Sequence, residues 1–435
     1  MNVVYVASEV FPFFKTGGLA DVMYSLPRKM SRIGHDVSVI MPKYSQISQI
    51  YTRKMEHVIS VEYSGRIFNI YKIVEGYVIY YFVENKELFE RPQVYGCDDE
   101  DIQFSTFCEI VLKFLRKIQL KADIIHCNDW QTGLVPFFLK KRYILSDEFF
   151  ANMKTVFTIH NLMYQGKFSK TSLHRLGYDV EGDGLNFMRI GMEYADIVTT
   201  VSKTYAEEIK YPYFSEGLED MTTSKKIYGV LNGIDVIYFN PERNSSIYVN
   251  YNIYTRKDKA KNKMFLQQEM KLPETAETPV ISMITRLVEG KGMDLVRYNI
   301  EELLKDPVQI IILGSGDKQY EEFFWNLEKK YPSKFKIKLG YDPVLANKIY
   351  AGSDMFLMPS RYEPCGLSQM IAMKFGTIPI VRETGGLKDT VTSYNKYTGE
   401  GNGFTFANFN ADDMLYTLRR AERYYFNDKG VWDKL

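Results

Sequence analysis

A chain of 435 residues is too long for one ordinary hydrophobic core, so two or three domains are expected. Hydrophobic and charged shares of 45% and 25% are those of a globular protein and argue against a disordered or fibrous one. A formal net charge of +1 argues against wholesale binding to nucleic acid or to an anionic membrane surface, and leaves room for a local basic cleft.

Taken in chain order, short apolar runs alternate with amphipathic stretches. "NVVYVAS" (2–8) reads as a strand and "GLADVMYSLPRKMSRIG" (18–34) as a helix. Strands follow at "HDVSVIMP" (35–42) and "GYVIYYFVE" (76–84), then a helix over "IQFSTFCEIVLKFLRKI" (102–118). "ADIIHCND" (122–129), "KTVFTIHN" (154–161), "ADIVTTVS" (195–202) and "KIYGVLNGID" (226–235) complete the strands of the first half. Residues 241–263 break the rhythm: a proline, a cluster of Asn and Ser, then a Lys-rich helical start, which together read as a linker. In the second half "PVISMITR", "VQIIILGSG", "FKIKLGY", "MFLMPS" and "TIPIVRET" are continuously apolar strands. Strands of this kind separated by helices imply parallel sheets covered on both faces. The expected fold is α/β, with two doubly wound Rossmann-like domains over 1–240 and 264–435.

Four cysteines and five histidines show no CxxC pair and no ligand spacing, so no metal is expected. No apolar run reaches the about 20 residues of a membrane span, and the first residues read directly as a strand, so cytoplasm is the simplest compartment. The 15% of aromatics, with 33 Tyr, fits either a carbohydrate-binding surface or the base composition of the gene.

In doubly wound sheets ligands sit beyond the carboxyl ends of strands, and most of the notable side chains follow one. Lys15 with Gly17 and Gly18 forms a turn in which a backbone can approach a ligand and an ammonium can meet phosphate or a sugar oxygen. The same segment also serves as a plain strand-to-helix turn. "ETGGLKDTV" repeats the pattern at Thr384, Gly385 and Gly386. Arg286 and Lys291 in "ITRLVEGKG" either offset the charge of a departing diphosphate or are two solvated cations. In "PSRYEPCGLSQM", Glu363 is held by a proline and followed by Cys365, Gly366 and Leu367 at the start of a helix. A buried acid there accepts hydrogen bonds from neutral hydroxyls, or simply caps the helix; Cys365 has no evident base and reads as a buried structural thiol. Asp129 and His160 end strands in "HCNDWQTGL" and "FTIHNLMYQG" and are candidates for gripping a polyol, whereas His126 suits a core position. A G-x-G-x-x-G fingerprint is absent, which weighs against a dinucleotide-dependent dehydrogenase.

Together "KTGGLAD", "NDWQTGL", "HNLMYQG", "VLNGID", "TRLVEGKG" and "PSRYEPCGLSQM…TGGL" resemble the bacterial glycogen synthase and plant starch synthase family, in order and spacing through nearly the whole chain. The resemblance implies a GT-B glycosyltransferase, with two Rossmann-like domains facing across a cleft that closes to expel water. It implies transfer of glucose from ADP-glucose, a co-substrate, to the non-reducing end of glycogen or another α-1,4-glucan, with retention and with no metal or cofactor. By the same resemblance Lys15 lies by the sugar diphosphate and Arg286 and Lys291 neutralise the leaving phosphates. Thr384, Gly385 and Gly386 offer amides to those phosphates. Glu363 holds glucose hydroxyls with help from the Gly366 and Leu367 amides, and His160 contacts the glucose and supports the oxocarbenium-like centre. Asp129 organises the donor–acceptor side, Asn232 sits at the base of the cleft, and the Tyr341 ring packs on adenine. The two Thr-Gly-Gly-Leu turns are expected as equivalent corners of the two domains. The family's terminal helix, which crosses back onto the N-terminal domain, is expected to be missing before Leu435. Rival readings are a weakly active glucan-binding relative and a synthase using UDP-glucose.

Overall fold

A computed structural model describes residues 1–169, 171–172 and 184–435. The chain divides into two units, Met1–Gly233 and Ile234–Leu435.

The first unit is built on a nine-stranded sheet. Its strands are β1 (Asn2–Val6), β2 (Asp36–Pro42), β3 (Glu56–Tyr63), β4 (Arg66–Glu75), β5 (Val78–Glu84), β6 (Ile124–Asn128) and β7 (Lys154–Ile159), and then, after a two-residue ribbon of β8 (Lys167–Phe168) with β9 (Leu185–Asn186), β10 (Ile197–Thr200) and β11 (Ile227–Gly229). The spatial order is β11-β10-β7-β6-β1-β2-β5-β4-β3. Central β1 pairs in parallel with both neighbours, Val3 lying opposite Val37 on one side and Ile124 on the other. Val3, Val4, Tyr5 and Val6 are all buried, as a strand covered on both faces requires. Every strand anticipated for this unit is present, and its sheet gains two more beside the separate β8–β9 ribbon. β3 and β4 form an antiparallel hairpin that extends the sheet beyond β5. Its turn is Ser64–Gly65, with φ of 50° and 72°, the paired positive values that suit a tight hairpin. The hairpin was not apparent from the sequence because its strands are only half buried, with Ile67 and Val74 of β4 exposed among charged residues.

The second unit carries a wholly parallel six-stranded sheet of β12 (Val280–Ile284), β13 (Gln309–Leu313), β14 (Phe335–Lys338), β15 (Met355–Met358), β16 (Ile378–Arg382) and β17 (Phe404–Phe406), in the order β14-β13-β12-β15-β16-β17. All five residues of β13 are buried. Residues 241–263 pack within this unit. Ile247 and Tyr251 join a core cluster with Tyr350, Phe356 and Phe375, and the Tyr251 hydroxyl donates to the Phe375 carbonyl at 2.8 Å. The Asn residues that give the segment its linker-like composition satisfy backbone instead: Asn262 Oδ1 accepts the Tyr248 and Val249 amides. At the end of the chain the helices Ala411–Asn427 and Lys429–Lys434 pack on the same unit, with Val431, Trp432 and Leu435 against its core. Among the described residues no helix is long and apolar enough to cross a membrane.

Helix Ala411–Asn427 buries Glu422, whose Oε1 has no hydrogen-bond partner among the described residues. Burial, reinforced by Asp306 and opposed by Arg419, pushes its carboxyl up to about 7. The unfolded chain releases this proton near pH 4.5 and the folded chain near 7, so the stability the neutral acid allows is lost as pH rises through that window. Glu422→Gln removes the titration. It should leave the melting temperature nearly unchanged near pH 4.5 and raise stability by about 3 kcal/mol at pH 8, at about 1.4 kcal/mol per tenfold change in proton affinity. Thermal melts of both proteins across that range check it, and an equal effect at both ends would refute the assignment.

Candidate active site

Each sheet grows first to one side of its opening strand and then to the other. Open parallel sheets bind ligands where the direction reverses, beyond the carboxyl ends of the strands. The reversal lies between β1 and β6 in the first unit and between β12 and β15 in the second.

In the first unit β7, β6 and β1 are neighbours, so the turn at 15–18, the Asn128–Asp129 pair and His160 emerge side by side. The turn is held by Glu9, a residue the sequence reading passed over inside an apolar run. Its buried carboxylate accepts the Thr16 N–H at 2.6 Å, the Thr16 hydroxyl at 2.5 Å, the Gly17 N–H at 3.2 Å and the Tyr95 hydroxyl at 2.9 Å. Lys15 Nζ lies 2.7 Å from Asp21, in the first turn of helix Gly18–Arg32. Burial raises the Asp21 carboxyl above its usual range, and Lys15 pulls it back. Gly17 has an ordinary extended φ of −149°, and a Cβ there would meet nothing within 4 Å. Nothing inside the protein demands that glycine.

Asp129 has φ 57° and ψ 178°, a conformation almost confined to glycine and costly for other residues. Neighbouring groups hold it there. Thr132 Oγ1 donates to the Asn128 and Asp129 carbonyls, while Asp129 Oδ1 accepts the His160 N–H at 2.7 Å and the Asn161 N–H at 3.3 Å. Burial pushes the Asp129 carboxyl up to about 7, against those two N–H groups and with some help from Glu9. His160 Nε2 is 3.0 Å from Asn128 Oδ1, and burial, with a smaller contribution from His126, lowers its pKa to about 3, so the ring is neutral. His126 packs against the Tyr5 ring at 4.9 Å and meets the Thr158 hydroxyl at 2.6 Å. Asn232 follows β11 at the sheet edge, its amide donating to the Val201 carbonyl at 3.4 Å, and the topology does not bring it beside the other three in this unit.

In the second unit the reversal is bridged by an ion pair. Glu363 Oε2 accepts from Lys291 Nζ at 2.7 Å and from Ser360 Oγ at 2.9 Å. Glu363 Oε1 makes no hydrogen bond among the described residues, and neither do the amides of Gly366 and Leu367. Arg286 is exposed, with no side-chain partner among the described residues. Cys365 is buried, its carbonyl accepting from Gln369 Nε2 at 3.1 Å. Tyr341 follows β14 and is 72% exposed.

The Thr384–Gly386 turn follows β16 and is not the counterpart of the turn after β1. The topological counterpart of β1 is β12, so Lys15 corresponds to the Arg286–Lys291 loop. The glycines differ in physical cause as well. A Cβ on Gly385 would lie 2.1 Å from the Glu363 carbonyl oxygen, and one on Gly386 2.3 Å from that of Cys365. The Gly386 amide donates to the Glu363 and Pro364 carbonyls at 3.1 Å each, and the Thr384 amide to that of Arg382 at 3.0 Å. The Thr384 and Gly386 amides, expected to meet phosphate, are therefore engaged within the protein, where they fix the backbone that carries Glu363. Among the described residues no group of three or more His, Cys, Asp or Glu side chains is placed to hold a metal ion.

The contrast between the glycines is testable. Gly386→Ala should lower stability by about 1–3 kcal/mol through backbone overlap. Gly17→Ala should stay within about 1 kcal/mol of the parent, since its Cβ enters open space. Denaturant unfolding of the two variants distinguishes them, and equal losses would show that the turns are alike after all.

Comparison with known proteins identifies the family. The model of the starch synthase catalytic domain matches residues 2–224, and that of glycosyl transferases group 1 matches residues 266–424. A glycogen synthase from Clostridium novyi is 45% identical over 452 aligned residues, covering 100% of this chain and 94% of that one. One from Geobacillus stearothermophilus is 44% identical, with 100% and 93% covered. The catalytic domain of starch synthase IV from Arabidopsis thaliana, solved bound to ADP and acarbose, matches with a TM-score of 0.92 at 33% identity, covering 100% of this chain and 94% of that one. Sucrose-phosphate synthase from Thermosynechococcus elongatus shares the fold, with a TM-score of 0.63 at 17% identity and 100% and 93% covered. The chain belongs to the glycogen synthase and starch synthase family, glucosyltransferases of the GT-B fold.

Proposed function

We propose that the chain transfers glucose from ADP-glucose to the non-reducing end of glycogen or another α-1,4-glucan, with retention of configuration. The observation that carries this reading is the split use of the Glu363 carboxylate. Oε2 is tied to Lys291 and Ser360 while Oε1 is left to accept from neutral hydroxyls, as a sugar offers. The amides of Gly366 and Leu367, unpaired among the described residues, follow Glu363 three and four positions on in the chain and suit the same sugar. Arg286, exposed and without a side-chain partner among the described residues, and Lys291, already beside a carboxylate, take up charge on the departing diphosphate. Thr384, Gly385 and Gly386 act on that donor by holding the Glu363 backbone. Tyr341, exposed after β14, packs its ring on adenine.

In the first unit Lys15 meets the donor's diphosphate, and the open space over Gly17, with Gly18 starting the helix, admits it closely. His160 and Asp129 contact the sugar, and Asn232 borders the acceptor path. Because the His160 ring is neutral, it supports the oxocarbenium-like centre as a dipole and hydrogen-bond acceptor, not as a cation. Retention follows same-face attack. The C1–O bond to phosphate breaks, the acceptor 4-hydroxyl oxygen bonds to C1, and its proton passes to the departing phosphate oxygen. No cofactor takes part in this step, and a cytoplasmic location belongs to the same reading.

The decisive measurement is ADP release from ADP-glucose with and without glycogen. Glycogen-dependent release is expected, with UDP-glucose a poorer donor. Its absence, or strict use of UDP-glucose, would overturn the proposal. Glu363→Ala and Lys15→Ala should each lower kcat/KM at least about 100-fold, the scale of losing a charge-stabilising contact, with melting temperatures close to the parent.

A further inference from the structure

Asn128 is completely buried at the end of β6. Its Nδ2 donates to the Val6 carbonyl on β1 and to the His126 carbonyl, each at 3.1 Å. Carbonyl oxygens only accept, so these two bonds fix which end of the amide is nitrogen and leave Oδ1 facing His160 Nε2 at 3.0 Å. Oδ1 also only accepts. Nε2 must therefore carry the proton, and in a neutral ring Nδ1 keeps its lone pair. His126 shows what an unlocked ring looks like: its Nε2 meets the Thr158 hydroxyl, which donates or accepts equally well.

We propose that Asn128 is a positioning residue that locks His160 in the Nε2–H tautomer, so that His160 meets the donor sugar through Nδ1 alone, accepting a hydrogen bond from a hydroxyl and never donating one. The lock is anchored across the β1–β6 reversal and is thus coupled to the strand that carries the Lys15 turn. The titratable groups facing His160 are Asp129, which accepts its backbone N–H, and His126. The inference rests on the reading that His160 contacts the donor. The tautomer itself does not depend on that reading.

Imidazole ¹⁵N spectra of the full chain, labelled at its five histidines and assigned by comparison with H160Q, read the tautomer directly. A neutral Nε2–H ring at pH 7 is expected for His160, and an Nδ1–H or charged ring overturns the proposal. Asn128→Ala should give a tautomer mixture and about tenfold lower kcat/KM for ADP-glucose, the scale of one hydrogen bond, with KM for glycogen unchanged. Asn128→Asp places a carboxylate against Nε2 and stabilises the doubly protonated ring. Its kcat/KM should fall as pH drops over a range where the parent is flat. Parent-like kinetics in both variants would reduce Asn128 to a strand staple and overturn the positioning role. Failure of the functional reading shows separately, as absence of glycogen-dependent ADP release by the parent.

Discussion

One carboxylate oxygen organises the second unit. Glu363 Oε2 takes the Lys291 ammonium from the loop after β12 and the Ser360 hydroxyl from the loop after β15, so the two loops flanking the sheet reversal are tied at one atom. A carboxylate drawn out of water needs such a partner, and the net gain in stability from a half-buried pair is small. Its consequence is orientation: among the described residues the other oxygen accepts no hydrogen bond, and its acceptor capacity remains. The backbone that carries this acid is closed from behind by Gly385 and Gly386, which let two chain segments approach more closely than any side chain permits.

The first unit reaches its site by the opposite electrostatic route. Burial there suppresses charge, leaving a neutral His160 and an Asp129 carboxyl raised to about 7. Asp129 is held in a backbone conformation that few residues tolerate, and the hydrogen bonds that hold it run to the Thr132 hydroxyl and to the amides following β7. The first unit thus carries neutral acceptors and a buried acid, and the second carries Arg286, Lys291 and the Glu363 carboxylate.

Fold class was legible because parallel strands covered on both faces must be apolar throughout, and β1, β13 and β15 read that way without ambiguity. The β3–β4 hairpin was not, since an edge strand with one wet face carries a weaker and mixed pattern. The candidate residues after strands were legible for a related reason, as a polar group at the end of an apolar run has few structural uses. Their supporting residues were hidden. Glu9, Asn128 and Ser360 are common residue types at unremarkable spacings, and their importance lies in partners 7 to 86, 32 and 3 positions away.

The sequence by itself determined the two-unit α/β architecture, the family, and which side chains stand at the carboxyl ends of strands. Those follow from local periodicity and from short motifs whose residues are adjacent in the chain. Only the tertiary structure decided which turn corresponds to which, because strand order is a property of the sheet and not of the chain. It likewise decided that one Thr-Gly-Gly-Leu turn is open while the other is closed by backbone, since the two stretches are identical over those four residues. The tautomer of His160 was decided there too, by two carbonyl oxygens that the sheet, and nothing in the local sequence, places against Asn128.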